Sequence, residues 1–294
     1  MFDGFETGKR TIGDVSINFV HGGEGPPLLL LHGFPQTHAI WHAIAQRLSR
    51  SFHIVCDDLR GYGDNSKPES TADHATYSKR AMAADMVQLM ASLGYSEFAT
   101  AGHDRGGRVV HRLALDHPNA VTRAAVLDIA PTLHMFEATD QALATAYYHW
   151  FFLIQPDGLP ERMIGADPAY YLREKIKRWS DPEARFDEAA LAEYIRCYSN
   201  PACIHATCED YRAGASIDLE HDRTDRAAGR KVDCPLLALW GTRGLVGRNY
   251  DMLKVWRRYA RDVSGRALDC GHFLPEERPQ DVADDLERFF KITA

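Results

Sequence analysis

A chain of 294 residues with 45% hydrophobic and 26% charged side chains has enough material for a sizeable core. Its formal net charge of −7, with no Lys/Arg block, excludes nucleic acid as the expected partner. No apolar run approaches the ~18 residues of a membrane span, the acidic start at Met1 does not read as a signal peptide, and the scattered cysteines read as free thiols, so a cytoplasmic globular protein away from membranes is expected.

In chain order, residues 10–20 alternate as a strand pair about a Gly13-Asp14 turn. A Gly/Pro-rich loop follows, then Leu28-Leu29-Leu30-Leu31, an apolar run with no polar face, as expected of a strand covered on both sides. Residues 41–48 read as a crossover helix and 52–56 as the next strand. A helix over 79–94 leads to small residues, a tight turn at Asp104, a helix from about 108 to 116 and a strand over 124–129. This alternation predicts an α/β fold with a mostly parallel, doubly wound sheet, whose ligands sit beyond the carboxyl ends of the strands. His32, Asp104 and Asp128 all fall there.

From Leu133 to about Lys231 no strand is evident, but helical runs cover 140–154, 168–179, 188–198 and 204–211. They predict a helical cap, residues 132–231, inserted between core segments 1–131 and 232–294. The core then resumes with a strand over 235–240, a helix over 252–259, a strand over 267–270 and an amphipathic helix over 279–292.

The chemistry centres on Gly102-His103-Asp104-Arg105-Gly106, a Gly-x-nucleophile-x-Gly turn between strand and helix. A carboxylate stands where esterases carry serine. Serine attacking a saturated carbon would leave an ether, whereas a carboxylate leaves an ester that a base-activated water can cleave. The other reading of Asp104 is a helix N-cap. The base is expected to be His272, late in the chain after a short strand and Gly271. The acid that fixes a catalytic histidine often follows the strand after a cap, yet 240–246 holds no acid. Asp128 fills that role, with Asp251 the weaker alternative; a turn or cap residue before Pro131 is the other reading of Asp128.

Ester hydrolysis also needs donors for a tetrahedral oxyanion, which the backbone N–H groups of Phe34 and Arg105 are placed to supply. His32 reads as a structural hydrogen-bonding residue. Arg105 and Arg108 lie three apart at the helix start, where a buried guanidinium needs a partner: a substrate carboxylate, or else Asp128 or acids of the cap. In the cap, the N–H groups of His149 and Trp150 and the hydroxyl of Tyr211 are three neutral donors that, converging, would stabilise a leaving halide. Fourteen histidines show no ligand spacing, so neither a metal nor another cofactor is expected.

Over essentially its whole length the sequence resembles the aspartate-nucleophile branch of the α/β-hydrolases, which includes haloalkane dehalogenases, epoxide hydrolases and fluoroacetate (haloacetate) dehalogenases. The resemblance lies in His32-Gly33-Phe34-Pro35-Gln36, Asp58-Leu59-Arg60-Gly61-Tyr62-Gly63, Asp104, Asp128 and Gly271-His272. The first two groups typically place tryptophan after the nucleophile; Arg105 here, with Arg108, Tyr148-His149-Trp150 and the Glu209–Gly214 stretch, resembles fluoroacetate dehalogenases. That resemblance implies Asp104 as nucleophile, His272 as base and Asp128 as its acid. It also implies Arg105 and Arg108 on a haloacid carboxylate, His149, Trp150 and Tyr211 around the halide, no cofactor, and a homodimer. An epoxide hydrolase using Tyr148 or Tyr211 as ring-opening acid, and a non-catalytic receptor on a hydrolase fold, are the rival readings.

Overall fold

The computed structural model describes residues 1–291. Strands β1 (Glu6–Ile12) and β2 (Val15–Gly22) form a hairpin turning at Gly13-Asp14, as expected, and extend further at both ends than the alternation suggested. Then come β3 (Pro27–Leu31), α1 (His42–Leu48), β4 (His53–Asp57), α2 (Lys79–Ser92), β5 (Phe98–His103), α3 (Arg105–Asp116) and β6 (Val121–Leu127). Eight helices follow without a strand: α4 (Thr132–Glu137), α5 (Gln141–Ala146), α6 (His149–Phe152), α7 (Leu159–Gly165), α8 (Pro168–Trp179), α9 (Glu188–Tyr198), α10 (Pro201–Ala215) and α11 (Ile217–Ala227). The chain then returns through β7 (Leu236–Gly241), α12 (Leu245–Asn249), α13 (Met252–Trp256), β8 (Val263–Leu268), α14 (Leu274–Glu277) and α15 (Pro279–Phe290). Ile292, at the end of the expected last helix, and the two residues after it lie outside the described residues.

The strands form one eight-stranded sheet in the order β1-β2-β4-β3-β5-β6-β7-β8. The first two neighbouring pairs, β1–β2 and β2–β4, are antiparallel and the other five are parallel. Leu28 to Leu31 are fully buried because alternate side chains of β3 enter two different apolar layers: Leu29 and Leu31 on one face, Leu28 and Leu30 on the other. The helical insertion leaves the sheet after β6 and rejoins it at β7, beyond the carboxyl ends of the parallel strands. No helix among the described residues is long and apolar enough to cross a membrane.

Two expectations need correction. The helical run over 140–154 is two short helices, α5 and α6, broken at Tyr147-Tyr148. No glycine or proline marks the break. At the break the Tyr147 ring packs against Trp179 and His149, with centroids 5.8 and 5.2 Å apart. The last strand lies earlier than expected, because β8 is an edge strand whose Ser264 and Arg266 face solvent, so its pattern is not apolar.

Candidate active site

The turn from β5 into α3 is built by close approach of backbone to backbone. A Cβ on Gly102 would collide with the Gly106 carbonyl, and one on Gly106 with the carbonyls of Leu31 and His32. Between them Asp104 is held at φ 46° and ψ −115°, a conformation disfavoured for a residue with a side chain. Its carboxylate makes no capping bond to α3, so the N-cap reading does not account for it. Instead Oδ1 accepts the Phe34 N–H at 2.9 Å, and Oδ2 lies 3.8 Å from His272 Nε2. Burial alone would favour the neutral acid. His272, His103, Arg108 and Arg105 outweigh it and hold Asp104 below the usual carboxylate range, ionised and 7% exposed.

His272 sits in the loop after β8, with Nδ1 2.6 Å from Asp128 Oδ2. Asp128, itself at φ 51° just past β6, accepts the Gly241 N–H on its other oxygen at 2.9 Å. Burial would push the imidazole down; the hydrogen bond and charge of Asp128, with Asp104, more than reverse this and raise it. Its buried Nε2 has no hydrogen-bond partner among the described residues and faces Asp104. Asp251, the alternative acid, caps α13 through the Lys254 N–H at 3.0 Å and has no part in this group. His32 is structural, its Nε2 accepting the Leu59 N–H at 2.9 Å.

The two arginines differ. Arg105 is pinned: Nε and Nη2 donate to Asp210 of α10 at 2.8 and 2.7 Å, and its guanidinium lies 4.3 Å from the Tyr211 ring centroid. The cap-acid reading is therefore realised for Arg105, with Asp210 and not Asp128 as partner. Arg108 has no carboxylate within 4 Å among the described residues. Its Nη1 donates to the Ala130 carbonyl and Thr132 hydroxyl at 2.9 and 3.0 Å, its Nε is buried and unpartnered, and it stacks 4.6 Å from the Trp150 ring. Burial and the charge of Arg105 lower it to about 10.

His149, Trp150 and Tyr211 come together beside Phe34. The His149 and Trp150 rings lie 5.5 and 6.4 Å from Tyr211, and Phe34 stacks on His149 at 5.9 Å. The Tyr211 hydroxyl and His149 Nδ1 are buried without partners among the described residues. Burial keeps His149 neutral, far below an ordinary histidine. Three contributors were given no role of their own in the sequence analysis. Trp179 packs on His149 and His272 and accepts the His272 N–H on its carbonyl at 2.8 Å. His103 donates Nε2–H to the His272 carbonyl at 2.8 Å. Asp210 is the third. Among the described residues no cluster of His, Cys, Asp or Glu is arranged to hold a metal ion.

A family model described as the alpha/beta hydrolase fold matches residues 26–279. The chain belongs to the α/β-hydrolase family. A crystal structure of a Nostoc protein provisionally assigned to that family is 56% identical, covers 100% of both chains and superposes with a TM-score of 0.98. A fluoroacetate dehalogenase from a Burkholderia species is 48% identical over 98% of this chain and 95% of its own. A soluble epoxide hydrolase from a Corynebacterium species is 34% identical over 96% of each. This is thus a fluoroacetate-dehalogenase-like α/β-hydrolase, related to epoxide hydrolases as well, with an aspartate at the nucleophile turn.

Proposed function

We propose that the protein hydrolyses haloacetates to glycolate and halide through an ester on Asp104. The observation that carries this reading is Arg108, a buried guanidinium without a carboxylate partner on the first turns of the helix that Asp104 opens. A buried cation held only by neutral acceptors is short of negative charge, and a substrate carboxylate would supply it. Arg105, with Asp210 occupying two of its nitrogens, would contribute positive potential and its remaining Nη1.

In the first step Asp104 Oδ2, the oxygen not held by Phe34, attacks the α-carbon in line, and halide departs with the bonding pair. His149, Trp150 and Tyr211 donate to the halide as its charge develops. Oδ1, already on the Phe34 N–H, becomes the ester carbonyl oxygen. In the second step His272 takes a proton from water, and the hydroxide attacks Cγ of Asp104. The Phe34 and Arg105 N–H groups hold the oxyanion while Asp128 supports the imidazolium. Glycolate leaves with an oxygen that came from Asp104, and Asp104 keeps one from water. Inversion is expected at a chiral α-carbon. No cofactor enters these steps.

Halide release from fluoroacetate and chloroacetate, with Asp104→Ala as control, tests the reading directly. A single turnover in H₂¹⁸O is expected to give unlabelled glycolate and labelled Asp104. Release of neither halide by the wild type would sink it.

One observation favours a second reading. The buried hydroxyl of Tyr211 has no partner among the described residues, its ring lies 5.5 Å from those of Phe34 and His149, and it is a suitable acid for opening an epoxide, the activity named for the Corynebacterium relative. Diol formation from a small neutral epoxide, with no halide from haloacetates, would select it. A non-catalytic receptor would have no use for an ionised Asp104 beside an Asp128-supported imidazole.

A further inference from the structure

Lys175 is unusual among the lysines of this chain. It is 2% exposed, yet among the described residues it has no carboxylate within 4 Å and no hydrogen bond. Three aromatic rings surround its ammonium instead: Tyr148 at 3.6 Å, Tyr171 at 5.2 Å and Trp179 at 5.3 Å from their centroids. Tyr171, Lys175 and Trp179 are spaced i, i+4, i+8 along α8 and so share a face, while Tyr148 comes from the break between α5 and α6. Ring faces attract a cation but offer no lone pair in the place of water.

This lysine lines a cleft of about 280 Å³ that also reaches His272. The charged side chains lining that cleft are all cationic: Lys175, Arg178, Arg243 and Arg248. Arg178 leans on Glu174 at 3.1 Å, and Arg243 pairs with Asp181 and, at 3.3 Å, with Asp269. Lys175 and Arg248 have no carboxylate partner within 4 Å among the described residues, so in a chain of net charge −7 this cleft is a place where an anion is favoured.

We propose that Lys175 is a positioning residue that receives the carboxylate of an anionic substrate in this cleft before it reaches Arg108. The proposal rests on the haloacid reading for its choice of substrate. The carboxylate gives the caged ammonium an acceptor that no described residue supplies, and Tyr148, 42% exposed, is the ring of the cage nearest solvent. Burial and the neighbouring Arg178 lower Lys175 to about 7. The groups facing it are Glu174 and Arg178 on its own helix, Tyr148 and His149 opposite, and Arg243, Arg248 and His272 across the cleft. Capture requires the protonated amine, so it weakens as pH rises through that value.

The test compares wild type, Lys175→Met and Lys175→Arg on chloroacetate and on the neutral analogue chloroacetamide. Lys175→Met is expected to lower kcat/KM for chloroacetate about tenfold through KM, to flatten its salt dependence, and to leave chloroacetamide within about twofold. Lys175→Arg is expected to restore chloroacetate and to extend activity to higher pH. Equal losses on both substrates, or none on either, would overturn the proposal. Should Lys175→Met fail to fold, the salt and pH dependence of wild type against Lys175→Arg decides: identical profiles overturn it. If wild type releases no halide, the haloacid reading fails by itself, and acetate binding to wild type and Lys175→Met tests the lysine; equal affinity would end the proposal.

Discussion

Asp210 holds Nε and Nη2 of Arg105 at 2.8 and 2.7 Å, although the two lie 105 residues apart in the chain. The same carboxylate accepts the Tyr62 hydroxyl at 2.7 Å and pairs with Lys79, so one aspartate of the inserted helices gathers three core groups beside Asp104. Asp210→Asn leaves two buried cations underneutralised and is expected to cost about 3–5 kcal/mol, read by urea unfolding. Burial would raise this carboxyl, but Arg105 and Lys79 outweigh it and hold it well below the ordinary aspartate value. Its stabilisation is thus complete at neutral pH and is lost as pH falls below the ordinary value towards the depressed one.

Removing the base separates the two proposed steps. In His272→Gln the first step keeps its nucleophile while the second loses its proton acceptor, and turnover is expected to fall about 10²–10⁴-fold. Intact-mass spectrometry after mixing with chloroacetate should find one added carboxymethyl group. Asp104→Asn should add nothing; an adduct on that variant would place the nucleophile elsewhere.

His272 is raised above an ordinary histidine, chiefly by Asp128 against the opposing effect of burial. As a base it works only when neutral, so ester hydrolysis should rise with pH through a limb displaced upward from that of an ordinary histidine. Asp128→Asn removes that support, so the limb should move to lower pH while the plateau rate falls. A pH–rate profile under ester-accumulating conditions reads both changes. A limb unmoved by the substitution would dissociate Asp128 from the base.

Tyr211 supplies a hydroxyl whose only use in the proposed chemistry is at the leaving group. Fluoride, the poorest leaving group, depends most on such donors. Tyr211→Phe is expected to slow fluoroacetate by about 10–10²-fold and bromoacetate by much less. A uniform loss across halides would reassign the hydroxyl to packing. Loss confined to epoxide substrates would favour the second reading of the site.

What was legible in the sequence depended on range. The Asp104 turn is a local pattern, because the glycines it needs stand two residues away on either side, and its geometry follows from backbone collisions that any such segment would meet. Asp128 emerged by elimination, since 240–246 contains no acid, and the structure puts it 2.6 Å from His272 Nδ1. Acids of the cap were legible as partners for Arg105, but that the partner is Asp210 depends on how α10 lies across the sheet. Trp179 and Lys175 fall in the helical run expected over 168–179, and their neighbours depend in the same way on how α8 packs. The break at Tyr147-Tyr148 has no local signal at all, yet it orients His149 and Trp150.

Asp128 comes from the end of β6; β7 contributes to it only the N–H of its last residue, Gly241, and Gly244 in the loop that follows is packed too close to tolerate a side chain. The same loop and the helix after it carry Arg243, Leu245 and Arg248 to the rim of the cleft. In the proposed reading, the reacting groups and the rim of the cleft therefore lie on separate segments of the chain. A lineage, or an engineer, could reshape the rim at 243, 245 and 248 for larger acids or neutral substrates without replacing Asp104, Asp128 or His272.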